Sequence, residues 1–333
     1  MRKKYLSDVK EKENKMKISL LEPLGVSDDV IENLAARMKE MGHTFVYYKD
    51  KTTDVEELKR RSVDSDIVMI ANNPYPAEVI EAAVNLKMIA VAFTGVDHVD
   101  QAACKARGIM ICNAAGYSNE TVAELVLGMA VAALRNVNEA DDRVRNGGTS
   151  AGIGGREICG RTVGIIGLGQ IGMRCAELFQ AFGAKIIAYN RSQSKKAIDS
   201  GIEYKTLDEV LTDSDIISLN LPLNEETRGF LSADKIAKMK QDAVFINCAR
   251  GPIVDNAALA KALNENKLGF ACVDVYDEEP PLPAEYPLLH AKNTLLTPHQ
   301  AFISEESMIR RAGIVFDNVY GYLSGAPINI VNK

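Results

Sequence analysis

Three features of this chain carry groups suited to chemistry, and each lies where a strand pattern gives way to a loop. At 163–166, Val-Gly-Ile-Ile is a short apolar run. Gly167-x-Gly169-x-x-Gly172 follows at once, and a helical pattern covers 173–182. Strand, glycine turn and helix in this order form a dinucleotide-binding turn. Gly167 allows the tight turn, Gly169 lets a pyrophosphate approach the backbone, and Gly172 lets helix pack on strand. The anion then lies at the helix N-terminus, where it meets free N–H groups, those of Gln170 and Ile171 among them. The plainer reading is a glycine-rich turn that binds nothing. A further strand pattern at 185–189 favours the dinucleotide.

The second feature is Arg250, just past the strand pattern 243–247. In open α/β sheets ligands bind at the carboxyl ends of strands. The fixed guanidinium fork suits a carboxylate with an adjacent carbonyl oxygen. The alternative is a surface arginine capping the next helix. The third is His299, one of four histidines, which follows Pro298 at another strand end. Histidine is the side chain most often used to give and take a proton near neutral pH. Lone histidines are more often structural, and the nearby acidic cluster Asp277-Glu278-Glu279 by itself reads as a solvated loop.

The elements that must position these groups follow from the bulk pattern. With 333 residues, one large or two medium domains are expected. A hydrophobic share of 47% and a charged share of 25% are those of an ordinary soluble globular protein. The net charge of −6 argues against nucleic acid as a partner. Six cysteines (104, 112, 159, 175, 248, 272) are scattered, with no CxxC and no zinc-ligand spacing. They read as reduced thiols of a cytoplasmic protein, with no metal site. The longest apolar stretch, 122–134, contains Glu124 and is too short to span a bilayer. Residues 1–15 carry six basic and three acidic side chains without an apolar core. They are read as a disordered extension and not as a signal peptide, and Met16 is a candidate start.

Strands are predicted at 17–21, 44–48, 67–71 and 88–93, with helices at 28–41 (Ser27 as N-cap), 55–60 and 78–84. Alternation of this kind implies a parallel sheet covered on both faces. This first series ends near Asn113. A single long, apolar helix is predicted over 121–146, then a Gly-rich loop at 147–155. The second series has strands at 185–189, 216–219, 243–247, 269–275 and 294–296. A last helix covers 304–323 and returns to the first domain. There is no internal repeat.

Several segments together resemble the D-specific 2-hydroxyacid dehydrogenase family. They are 164–172, 220–228 (NLPLNEETR), 247–252 (NCARGP) with 269–280 (GFACVDVYDEEP), and Thr297-Pro298-His299, supported by 113–124 (NAAGYSNETVAE) and Gly95-Val96-Asp97. The resemblance runs from Lys17 to Ile330. It implies an α/β architecture in which a Rossmann dinucleotide-binding domain, 116–299, is inserted in a flavodoxin-like substrate domain, 16–115 with 300–333. The active cleft lies between them, and a homodimer forms through the Rossmann domains and the long helix.

The resemblance also implies roles. Arg250 binds the substrate carboxylate and polarises the carbonyl. His299 handles the proton. Glu279, chosen over Glu278 because the family places its carboxylate directly before Pro, orients the imidazole. Asp274 holds the nicotinamide carboxamide. Thr94 and Gly95 offer backbone N–H groups to the substrate carboxylate, with Thr94 close to the nicotinamide. Leu221, Pro222, Cys248 and Ala249 line the adenosine and nicotinamide sides. Phe93 stands where the family usually has Gly, which reshapes the substrate pocket. Asn72, Asn73 and Tyr75 are either pocket residues or a plain Pro-rich turn. Asn220 replaces a common His, a change with no reading here.

Cofactor choice is legible further along. Asn190 stands 23 residues after Gly167, where an NAD enzyme usually has Asp or Glu for the ribose hydroxyls. Here the run is Asn190-Arg191-Ser192, with no carboxylate to repel a 2′-phosphate and with Arg191 and Ser192 able to bind one. NADP(H) is therefore expected to be preferred over NAD(H), or both are used. The partner is a small 2-oxo or 2-hydroxy acid. Gly116-Tyr117-Ser118 resembles the glycerate and hydroxypyruvate reductase branch. A phosphoglycerate dehydrogenase is a further option, without the C-terminal regulatory domain many of those carry. A competing reading is a dinucleotide-sensing, corepressor-like binding protein of the same fold.

Overall fold

A computed structural model describes residues 15–332. The expectation of disorder over 1–15 lies outside these residues, Lys15 excepted. The chain divides into two compact units, Met1–Tyr117 with Met308–Lys333, and Ser118–Ser307. Residues 300–307 thus group with the stretch before them, not with the C-terminal segment. The cause is local: the N–H groups of Gln300 and Ala301 are bonded to Asp274.

The first unit is built on β1 (Lys17–Leu20), β2 (Thr44–Tyr47), β3 (Ile67–Ile70), β4 (Met88–Val91) and β5 (Met110–Cys112). All pair parallel, in the order β2-β1-β3-β4-β5, which is the flavodoxin-like order. Strands β3 and β4 are buried end to end, as unbroken apolar runs in a doubly covered sheet must be. The short β5 was not foreseen. At three residues it is too brief to stand out as a strand, and it is held by later chain, since Val331 donates to the Ile111 carbonyl.

The second unit carries β6 (Thr162–Ile166), β7 (Lys185–Tyr189), β8 (Glu203–Tyr204), β9 (Ile216–Leu219), β10 (Val244–Asn247), β11 (Phe270–Val273) and β12 (Thr294–Leu296). The sheet is parallel, in the order β12-β11-β10-β9-β6-β7-β8. Chain order reverses between β6 and β9, so the topological switch point lies between these two strands. Among the described residues no helix is long and apolar enough to cross a membrane.

One helix departs from expectation. The predicted helix 121–146 is two, Asn119–Leu134 and Val137–Arg145. Asn136 breaks it by adopting a left-handed backbone, φ 52°, with its side-chain amide donating to the Gly154 carbonyl at 2.6 Å. Asparagine tolerates that region better than most residues. The first helix buries Val122, Ala123, Val126, Met129, Ala130, Ala133 and Leu134, whereas the second buries none of its residues. Ser27 does precede its helix, but its side chain makes no capping bond.

Asp215 ties the amino ends of the central strands. Its carboxylate accepts from the Thr162 N–H and from Lys240 Nζ, both at 2.9 Å. Burial raises its pKa, yet the Thr162 and Lys240 contacts outweigh burial and hold it below the ordinary carboxylate value of 3.8. A depressed carboxylate stabilises the fold above its unfolded pKa, and the gain is lost as pH falls through the folded value. Thermal unfolding should therefore ease as pH drops below 3.8. Asp215→Asn should show less of that dependence and cost about 1 kcal/mol at neutral pH; an unchanged acid profile would contradict this.

Candidate active site

The sheet order of the second unit explains how residues far apart in sequence come together. The carboxyl ends of β12, β11, β10, β9, β6 and β7 lie side by side. The segments that follow them carry, in that order, His299, Asp274 and Glu279, Cys248 to Arg250, Leu221 and Pro222, the glycine turn, and Asn190 to Ser192.

At the glycine turn the backbone requires glycine at Gly167 and Gly172, for different reasons. Gly167 has φ +95°, and a Cβ there would lie 2.8 Å from the Asn220 backbone. A Cβ on Gly172 would lie 2.1 Å from the Gly167 carbonyl oxygen, so the helix Gln170–Ala181 packs on the turn as closely as a backbone can. At Gly169 a Cβ would meet nothing within 4 Å. The approach to the first turn of the helix is therefore open, and the N–H groups there suit an anion. A nicotinamide dinucleotide fits this cradle.

The loop after β10 is folded by its own asparagine. The buried Asn247 donates from Nδ2 to the Arg250 carbonyl at 3.1 Å and accepts the Ala249 N–H at 3.0 Å. Cys248 and Ala249 lie on this loop. Burial pushes the Cys248 thiol well above its ordinary pKa, which keeps it protonated and unreactive. Arg250 is half-buried, and its Nη1 donates to the Ala249 carbonyl at 2.8 Å.

His299 and Glu279 meet directly. Nδ1 of His299 lies 2.7 Å and 2.9 Å from the two carboxylate oxygens of Glu279. The imidazole packs edge-on against Phe302, with centroids 5.3 Å apart. Its backbone is left-handed, φ 53°. Asp274 holds that turn: Oδ1 accepts from Thr297 Oγ1 at 2.5 Å and from the Gln300 N–H at 2.9 Å, and Oδ2 accepts from the Ala301 N–H at 2.9 Å. Its main-chain oxygen accepts the His299 N–H at 2.8 Å. Burial raises the Asp274 pKa, and the Thr297 hydroxyl and the two N–H groups oppose that rise.

The loop Asn190 to Ser192 follows β7. Asn190 accepts the Leu168 N–H on Oδ1 at 3.1 Å and donates to the Ser192 carbonyl at 2.7 Å. Arg191 pairs with Glu226 at 2.7 Å. In the first unit, Thr94 and Gly95 lie just past β4, with Thr94 exposed. Phe93 is 6% exposed, packs against Tyr117 and lies beneath the Arg311 guanidinium. Tyr75 and Asn73 are buried, Asn72 only partly so.

The profile of the D-isomer specific 2-hydroxyacid dehydrogenase NAD-binding domain matches residues 127–301. The chain belongs to the D-isomer specific 2-hydroxyacid dehydrogenases. It is 33% identical to a hydroxypyruvate reductase of Blautia hydrogenotrophica, over 89% of this chain and 94% of that protein. It is 36% identical to a glyoxylate reductase of Thermofilum pendens, over 86% of each. A solved acyclic imino acid reductase, in complex with NADPH and D-Arg, superposes with a TM-score of 0.85 at 30% identity, covering 95% of this chain and 100% of that one. The chain is thus an oxidoreductase that interconverts a 2-oxo acid and a 2-hydroxy acid, with a nicotinamide dinucleotide as hydride carrier.

Some residues that shape this dehydrogenase site were not singled out from sequence. A Cβ on Gly251 would lie 1.8 Å from the Tyr276 carbonyl oxygen, so the backbone after Arg250 touches the backbone before Glu279. Tyr276 in turn donates its hydroxyl to the Thr297 carbonyl at 2.9 Å. Asn247 was legible as the one polar residue of an apolar strand. Gly251 and Tyr276 gave no signal beyond their place in the motifs.

Proposed function

We propose that this chain reduces a small 2-oxo acid, such as glyoxylate, hydroxypyruvate or a larger 2-oxo acid, to the D-2-hydroxy acid, with NADPH preferred over NADH. The observation that carries the reading is the bidentate seat of His299 Nδ1 on Glu279. With Nδ1 committed to a carboxylate, the exchangeable proton of the imidazolium is the one on Nε2.

The bound reduced nicotinamide supplies the hydride. Arg250 holds the substrate carboxylate and the neighbouring carbonyl oxygen in its fork and draws electron density from the carbonyl carbon. The N–H groups of Thr94 and Gly95 give the carboxylate further donors. As the carbonyl carbon is reduced, His299 delivers the Nε2 proton to the oxygen, and Glu279 orients the imidazole through Nδ1. In oxidation neutral His299 takes the hydroxyl proton at the same atom. Gln170 and Ile171 meet the pyrophosphate by backbone N–H, and Leu221, Pro222, Cys248 and Ala249 line the dinucleotide. Asp274 has no exposed surface and three protein donors. We therefore assign it to holding the His299 turn ahead of the carboxamide contact.

Preference for NADPH rests on Asn190-Arg191-Ser192, which offers a cation and a hydroxyl but no carboxylate to a 2′-phosphate. The ratio of kcat/KM for NADPH over NADH should exceed one, and a ratio well below one would sink this preference. A homodimer through the second unit is supported by the helix Val137–Arg145, which exposes Val137 and Val144. Light scattering at a mass near twice 36.3 kDa checks it. No observation favours the binding-only alternative.

A further inference from the structure

We infer that Glu226, on the loop after β9, tunes the choice between NADPH and NADH by occupying Arg191. The inference rests on Arg191 being the 2′-phosphate partner.

Strands β7 and β9 flank β6. The loops that follow them therefore stand on either side of the glycine turn. The Arg191–Glu226 ion pair joins these two loops, Nη1 to Oε2 at 2.7 Å. The loop that usually carries the discriminating acid has none here, since 190–196 reads Asn-Arg-Ser-Gln-Ser-Lys-Lys. Its Asn190 uses both ends of its amide within the protein, on Leu168 and on Ser192. Among the described residues, the carboxylate bonded to this loop is that of Glu226, from the loop after β9 on the far side of β6.

Glu226 is held on an ordered turn. Asn224 Oδ1 accepts the N–H groups of Glu226 and Thr227, each at 3.0 Å. Thr227 Oγ1 donates to the Pro222 carbonyl at 2.6 Å, and the Asn224 N–H donates to that hydroxyl at 2.8 Å. The carboxylate is thereby presented to Arg191 from a fixed base, and Pro222 belongs to the segment assigned to line the dinucleotide. The pair itself is open to water, with side-chain exposures of 77% and 72%. Exposed pairs are weak, so a 2′-phosphate can compete for the guanidinium. The displaced carboxylate stays close and repels the phosphate. Glu226 therefore tempers a preference that Arg191 alone would make stronger.

The test is calorimetric titration of adenosine 2′,5′-bisphosphate and adenosine 5′-phosphate into the wild type, Glu226→Gln, Arg191→Gln and the double variant. Glu226→Gln should tighten the bisphosphate about tenfold and shift the monophosphate less than about twofold. Arg191→Gln should weaken the bisphosphate, and adding Glu226→Gln to it should recover less than about threefold. Bisphosphate affinity unchanged by Glu226→Gln but lowered by Arg191→Gln would overturn this inference alone. Affinity unchanged by Arg191→Gln would overturn the phosphate role of Arg191 beneath it. Both positions are exposed, and thermal unfolding of each variant checks that the fold is intact.

Discussion

His299→Asn should lower kcat by about 10²- to 10⁴-fold while leaving the thermal unfolding midpoint within a few degrees of wild type. The choice of asparagine comes from the backbone. Among the described residues, five non-glycine positions have positive φ: Asn136, Asn266, Asn293, Asn329 and His299, all between 52° and 54°. Four are asparagine, which accepts the left-handed region readily. The fifth is the imidazole. A residue held in a strained conformation persists only when its surroundings fix it. Here Asp274 does so, through Thr297, Gln300, Ala301 and the His299 N–H. His299→Ala would remove the ring and also add backbone strain, mixing two effects. Asparagine preserves the turn and removes only the titrating group, so a loss of activity reports the proton chemistry. Activity within about tenfold of wild type would exclude His299 as the general acid.

Gly251→Ala should reduce kcat/KM for the oxo acid by about 10²-fold or more and cost about 1–3 kcal/mol of stability. A Cβ at this position lies 1.8 Å, 1.9 Å and 2.5 Å from the carbonyl oxygen, carbonyl carbon and Cα of Tyr276. Those atoms are backbone and cannot rotate away. Either the loop carrying Arg250 or the strand end leading to Glu279 must move. Tyr276 also bonds the Thr297 carbonyl, so displacement spreads to the turn that carries His299. One methyl group therefore disturbs Arg250, Glu279 and His299 together. Kinetics and chemical unfolding of the variant are the check. Wild-type kcat/KM would show that this contact does not set the site.

How far the sequence reached depends on what each feature rests on. Fully buried parallel strands are continuous apolar runs, so Ile67–Ile70 and Val244–Asn247 were legible to within a residue. The glycine turn was legible from its spacing, and the geometry shows a steric demand at Gly167 and Gly172. Arg250 and His299 were legible as polar residues at strand ends. The break at Asn136 was not, because it depends on one backbone angle and a bond to Gly154, 18 residues away. The packing partners of Phe93 were not legible for a similar reason. Its partners, Tyr117 and Arg311, are remote in sequence and meet it only in the folded unit. The Arg191–Glu226 pair likewise needs the sheet order, which puts β7 and β9 on either side of β6.

The most direct test of the central claim is steady-state oxidation of NADPH and NADH by the purified chain with a panel of 2-oxo acids, including glyoxylate and hydroxypyruvate, followed by chiral analysis of products that have a stereocentre. The expected result is turnover on at least one 2-oxo acid, with kcat on the order of 1–10³ s⁻¹, a D-2-hydroxy acid as product and NADPH the better donor. Tight dinucleotide binding without turnover on any 2-oxo acid, or formation of the L-isomer, would contradict it.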